Sequence, residues 1–192
     1  MRNILIFGGI ALIMLFLGCN SYNGMAKLDQ EVQKSWGDVE NNYQRRSDLI
    51  PNLVNTVKGA ANFEQNILIG IAEARAKATS IKVDANDLTP EKLKEFQASQ
   101  GQLSMALGRL MSVVESYPDL KANQNFRELS AQLEGTENRI TVARKDFNDA
   151  VKGFNAKVVT FPNNLLGGMF GFRAKGYFQA TAGSEKAPEV KF

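Results

Sequence analysis

Between Met25 and Phe161 apolar residues recur at alternating steps of three and four, and only Pro51, Pro90 and Pro118 interrupt the run. That spacing keeps returning a side chain to one face of an α-helix, and strand-type alternation is absent, so the stretch is expected to fold as helices that each bury one stripe. The first helix is expected from about Tyr22 to Ala61, with Val32, Trp36, Val39, Tyr43, Arg46, Ile50, Leu53 and Val57 as its seam. Pro51 falls inside it and is read as a kink, because the seam stays in phase on both sides. The second is expected to start at Asn62, where Asn62 and Gln65 resemble a capping box, and to carry Phe63, Ile67, Ile71, Ala74 and Ala78 inward as far as about Ser80. Ile81 to Leu88 reads as a loop, and Thr89-Pro90 as the N-cap and first-turn proline of a third helix with seam Leu93, Phe96, Gln100, Leu103, Leu107, Leu110, Val114 and Tyr117. After the Tyr117-Pro118-Asp119 corner, a single fourth helix is expected from about Leu120 to Thr160. Its seam is Phe126, Leu129, Leu133, Thr136, Ile140, Ala143, Phe147, Ala150, Phe154 and Val158, with Phe161 closing it and Pro162 stopping it.

Short connections between such helices imply an all-α, antiparallel up-down-up-down four-helix bundle with long helices 1 and 4. The expected organisation is a signal peptide or membrane anchor over residues 1–19, the helical bundle over 20–161, and an irregular tail rich in Gly and Phe over 162–192. Helix 2 is about half the length of helices 1 and 4, so the near end of helix 1 is expected to pair with the far end of helix 4 alone, as a two-helix stalk with exposed apolar residues.

The first nineteen residues carry one basic side chain, Arg2, then an apolar run from Ile4 to Leu17, Gly18, and the chain's one cysteine, Cys19. Fourteen apolar residues fall short of the roughly 20 a spanning helix needs and match the core of a secretory signal. Cys19 is the candidate lipid attachment residue, in the bacterial lipoprotein manner, although Phe16 departs from the smaller aliphatic residue expected three places before it. The other reading is an uncleaved signal anchor. Both place the chain at a bacterial cell membrane with its bulk facing the periplasm or exterior, since Arg2 resists translocation.

Composition narrows the chemistry. With 23 basic and 20 acidic residues the net charge is only +3, and the tightest basic cluster is the pair Arg45-Arg46, so nucleic acid is not an expected partner. There is no histidine, which removes the commonest general base and transition-metal ligand. With Cys19 reserved for the anchor, no thiol nucleophile, metal site or cofactor is expected. Ser47, Ser104, Ser112 and Ser130 stand in no recognisable nucleophile motif.

Three residues break the apolar seams with polarity: Arg46, Gln100 and Thr136. Counted from the helix ends they lie at nearly equal depth, and they are expected to form one polar core layer that fixes helix register, with Glu73 or Glu137 as counter-charge. Asp48 is read as capping the amides freed near Pro51, and Trp36 as core. The candidate interaction tail is Leu165, Leu166, Met169, Phe170, Phe172, Tyr177 and Phe178, which either folds back on the bundle or meets a lipid surface or neighbour, with Arg173 and Lys175 at headgroups.

An ordered set of residues goes further. It runs from Trp36, Val39-Glu40 and Arg45-Arg46-Ser47-Asp48-Leu49-Ile50-Pro51-Asn52-Leu53-Val54 through Tyr117-Pro118-Asp119-Leu120-Lys121-Ala122-Asn123 to Leu133-Glu134, Thr136-Glu137, Phe147-Asn148 and Phe154-Asn155, and ends with Phe161-Pro162, Gly171-Phe172 and Tyr177-Phe178. In these the chain resembles the LemA family. The resemblance implies a membrane-anchored helical bundle facing outward from the cytoplasm, with no established activity, cofactor or catalytic residue. The expected function is therefore a tethered, non-enzymatic scaffold that binds an envelope protein or itself. The alternatives are a hydrolase using carboxylates or a Ser/Lys pair, and a lipid or small-molecule carrier.

Overall fold

The computed structural model describes residues 2–59 and 64–180. The regular elements among them are all helical: α1 (Arg2–Lys58), α2 (Gln65–Ser80), α3 (Pro90–Val114), α4 (Pro118–Ala122), α5 (Gln124–Val159) and α6 (Asn163–Phe170). α1 runs unbroken through 57 residues, so the apolar leader and the bundle share one helix. It also continues through Pro51. A mid-helix proline costs about 3 kcal/mol, whereas Ile50, Leu53 and Val57 are almost wholly buried and contribute roughly 1.5–3 kcal/mol each. No helix among the described residues is long and apolar enough to cross a membrane.

The helix ends follow local chemistry. α2 starts at Gln65 with Glu64 in the N-cap place and no side-chain cap bond; Asn62 and Phe63 lie outside the described residues. Ile71 and Ala78 of the expected seam are buried and Ile67 and Ala74 partly so, while Leu68 is buried as well. α3 begins as read, the Thr89 hydroxyl accepting from the Lys92 amide at 3.4 Å. The single fourth helix is a correction: it divides at Asn123, whose backbone is extended and whose side-chain oxygen accepts from the Phe126 amide at 3.2 Å, capping α5. Asn123→Ala should lower stability by about 1 kcal/mol through loss of this cap, read as a drop in thermal midpoint.

Beyond α5 the chain differs again from the expectation of irregularity. Phe161 does not close the seam; it is 75% exposed and precedes a cis peptide bond to Pro162. Buried Asn163 donates to the Lys157 carbonyl at 3.0 Å and accepts from the Ser21 hydroxyl on α1, and α6 starts from this anchored turn. α6 ends at Gly171, at φ 83°, where glycine is favoured.

α5 packs along α1 in the opposite direction: Gly24 stands by Lys157, Leu28 by Gly153 and Arg46 by Glu137. α2 packs on α3. One core joins α1, α2, α3 and α5 around Ile50, Leu53, Ile71, Leu103, Leu110 and Leu133. A second lies nearer the leader, around Met25, Val32, Trp36, Phe147 and Phe154. α2 does not extend over this second core, yet it is not a bare two-helix stalk. The 81–88 loop contributes Val83 and Leu88, and the extended segment 172–180, here called the arm, contributes Phe178. Met25, Val32 and Trp36 are accordingly fully buried.

Candidate functional site

Arg46 sits where the two cores meet, on the α1 seam between Tyr43 and Ile50, and only 2% of it is exposed. Its guanidinium donates to Glu137 Oε2 on α5 at 2.9 Å, to Ser104 Oγ on α3 at 2.9 Å, and to Gln100 Oε1 and O at 2.6 and 3.3 Å. Gln100 in turn donates to the Ala78 carbonyl at the end of α2 at 3.1 Å. One cation thus ties α1 to α3 and α5 directly and to α2 through an amide. Arg46 Nε and the neighbouring Ser47 hydroxyl are buried without a partner, so the layer is not fully satisfied.

Arg46 and Gln100 therefore meet, and Glu137 is the counter-charge. Thr136 is buried at the same depth, but its hydroxyl donates to its own helix, to the Gln132 carbonyl at 2.7 Å; the carboxylate one residue later reaches Arg46 instead. Glu73 stands elsewhere, on an open groove between α2 and α3 with Lys77 and Arg109 but no serine among its walls. Asp48 does not cap: it is exposed on α1 and accepts from Gln44 at 2.7 Å. The Arg46 guanidinium also lies 5.0 Å from the centre of the Tyr43 ring. Burial pushes the Tyr43 hydroxyl above the usual phenol range, against the opposing pull of Arg144 and Arg46, so it stays protonated at physiological pH. A cleft of about 400 Å³ opens beside this layer, walled by Ser104, Leu107, Met111, Ser130 and Glu137 among others. Both Ser104 and Glu137 are held by Arg46 there.

The tail set divides. Phe178 is buried, stacked 6.1 Å from Trp36 and edge-on to Phe147 at 5.4 Å, with the Arg144 guanidinium 4.8 Å over its ring. Phe172 is half-buried against Tyr22 and Phe154. Lys175 is no headgroup ligand: its side chain is 8% exposed, pairs with Asp29 at 2.7 Å and donates to the Ala85 carbonyl. Burial of so long a side chain is sustained by that pairing. Leu165, Met169, Phe170 and Tyr177 are exposed, Leu166 less so, and Arg173 is exposed. α6 is held against α1 just past Cys19, by the Ser21–Asn163 bond and by Tyr22 edge-on to Phe170 at 5.2 Å. Exposed Cys19, the exposed Leu12, Leu15 and Phe16 of α1, and the outer side of α6 share one end of the molecule.

The arm is held by three side-chain amides that sequence reasoning missed. Asn155 pairs with both backbone groups of Lys175 at 2.8 Å each, Asn148 with those of Phe178 at 2.9 and 3.0 Å, and Gln97 with those of Gln179 at 3.2 and 2.7 Å. A signal was present: the dipeptide Phe-Asn recurs one heptad apart, at 147–148 and 154–155, placing an amide beside each of two core rings.

The model of the LemA family matches residues 35–192. The chain is 28% identical over 179 residues to the magnetosome proteins MamQ 1 and MamQ 2 of Paramagnetospirillum magneticum, covering 82% of this chain and 64% of theirs, so it spans under two thirds of those relatives. It is 26% identical over 169 residues to protein LemA of Metamycoplasma hominis, covering 88% of this chain and 74% of that one. With the family match extending over most of its length, the chain belongs to the LemA family.

Proposed function

We propose that this protein is a tethered extracytoplasmic scaffold: an antiparallel four-helix bundle held at a bacterial membrane by lipid on Cys19 or by an uncleaved leader, binding an envelope protein or another copy of itself. The observation that carries the reading is the gathering of apolar surface at one end. Leu12, Leu15 and Phe16 of α1 are about two-thirds exposed or more, and Phe161, Leu165 and Met169 around α6 are 64–80% exposed. Exposed apolar surface of this kind favours burial at the boundary between headgroups and acyl chains. α6 then lies against the lipid, and the bundle projects away from it. Catalysis has no place in this reading. The buried polar layer spends its charge on joining helices, and Glu73 and Asp48 lie apart from it and from each other.

The test is to isolate the protein from membranes loaded with a photoactivatable fatty acid and to map it by mass spectrometry. The expected result is a mature chain starting at acylated Cys19, or an intact leader, with lipid adducts within residues 161–170 that disappear in Leu165→Glu/Met169→Glu. Recovery of an unmodified, adduct-free chain from the soluble fraction overturns the proposal.

A further inference from the structure

The groove that holds the arm reads a peptide backbone. A side-chain amide carries a donor and an acceptor placed like those of a peptide group, so Asn155, Asn148 and Gln97 do for the arm what a neighbouring strand does in a sheet. Main-chain support is slight: within the arm, Phe172 N–H reaches Gly167 at its own root at 2.9 Å, and Gly176 N–H reaches Leu88 at 2.8 Å. Side chains add selectivity. A cation is required at 175 to meet Asp29, and an aromatic ring at 178 to fill the space beside Trp36. Glycine is required at 176, because a Cβ there would stand 2.8 Å from Pro90 Cα. The ligand this groove fits is an extended Lys-Gly-x-aromatic segment. The arm leaves α6 through Gly171, at φ 83°, a residue able to redirect the chain at little cost.

We propose that the arm is exchangeable, and that the groove accepts residues 172–180 of a second copy of this chain. A second copy carries the required lysine, glycine and phenylalanine in register by construction. Trading arms replaces each contact by its equal, which leaves only the cost of bringing two copies together; tethering in one membrane plane reduces that cost. This deepens the self-associating form of the function proposed above. Its test runs in detergent and involves neither lipid adducts nor the N-terminus, so the two readings fail separately.

The experiment uses two full-length variants. Gly176→Val blocks a chain's own arm and leaves the groove intact. Asn148→Ala/Asn155→Ala removes the clamp and leaves the arm intact. Each alone is expected to sediment as a monomer with red-shifted emission from Trp36, the one tryptophan of the chain. Mixed in equal amounts, they should form a one-to-one complex whose emission moves about halfway back to the wild-type position, because only the Gly176→Val groove is refilled. A synthetic nonapeptide of residues 172–180 should bind Gly176→Val and lose about tenfold or more in affinity when the two asparagine changes are added, through four lost hydrogen bonds. If Gly176→Val loses its helical circular dichroism, Lys175→Ala/Phe178→Ala takes its place. Two folded variants that stay apart on mixing overturn the proposal. Capture of the nonapeptide while whole chains remain apart likewise overturns the second copy as occupant.

Discussion

Replacing Trp36 with alanine is expected to lower stability by about 3–5 kcal/mol, among the largest losses a single substitution here can produce. The indole is fully buried and is the point where four segments meet: α1 itself, Phe96 of α3 at 5.3 Å, Phe147 of α5 at 5.5 Å and Phe178 of the arm at 6.1 Å. Its Nε1 donates to the Val83 carbonyl at 3.2 Å, which fastens the 81–88 loop as well. Alanine leaves a cavity beneath the arm and an unmet carbonyl beside it. Trp36→Phe retains most of the packing and loses the hydrogen bond, so about 1–2 kcal/mol is expected. Urea midpoints of the three proteins should fall in that order. A Trp36→Ala protein as stable as the parent would mean that the leader-side core adds little to folding.

Arg46→Ala should be about as damaging, roughly 3–5 kcal/mol, for a different reason. Truncation removes a buried side chain and leaves Gln100 and the Ser104 hydroxyl without the cation that satisfies them. Glu137→Gln is expected to cost far less, about 1 kcal/mol, because 52% of the Glu137 side chain is exposed and water can replace what the carboxylate loses. Arg46→Met discriminates between charge and volume. It refills the space but leaves Gln100 Oε1 without its donor, so it should recover the packing part of the loss and still cost about 1–3 kcal/mol. Thermal unfolding of the three variants reads the ranking directly. If Glu137→Gln proved as harmful as Arg46→Ala, the ion pair rather than the buried guanidinium network would hold the layer.

The seams were legible because they rest on periodicity, which is local. All eight positions from Val32 to Val57 on α1 are buried, as are Leu93 to Val114 on the α3 seam and most of the α5 seam. Equal depth of Arg46 and Gln100 also followed from counting along rods of known rise. What escaped the sequence was tertiary. Leu68 is buried and its neighbour Ile67 only partly so, a choice between adjacent apolar residues that no pattern within sixteen residues decides. Asn123 divides a continuous apolar stripe because its side chain satisfies an amide that helix continuation would have satisfied equally well. Phe178 and Lys175 belong to the fold only by virtue of Asn148, Asn155 and Asp29, which are 20 or more residues away in sequence. Interactions of that range leave no period to detect. The same holds for α6, whose start depends on Asn163 finding Ser21 across the molecule.

The unbroken course of α1 has a mechanical consequence. From Cys19 to Lys58 it is a single continuous helix on the order of 60 Å long. Under the tethering proposed above, the far tip is a spacer, and anything engaged there is held at a set stand-off from Cys19. One residue added to this shaft would lift the tip by about 1.5 Å and rotate it by about 100°, carrying the apolar stripe off its partner. Changes in that height are thus confined to whole heptads, matched by equal additions to α5.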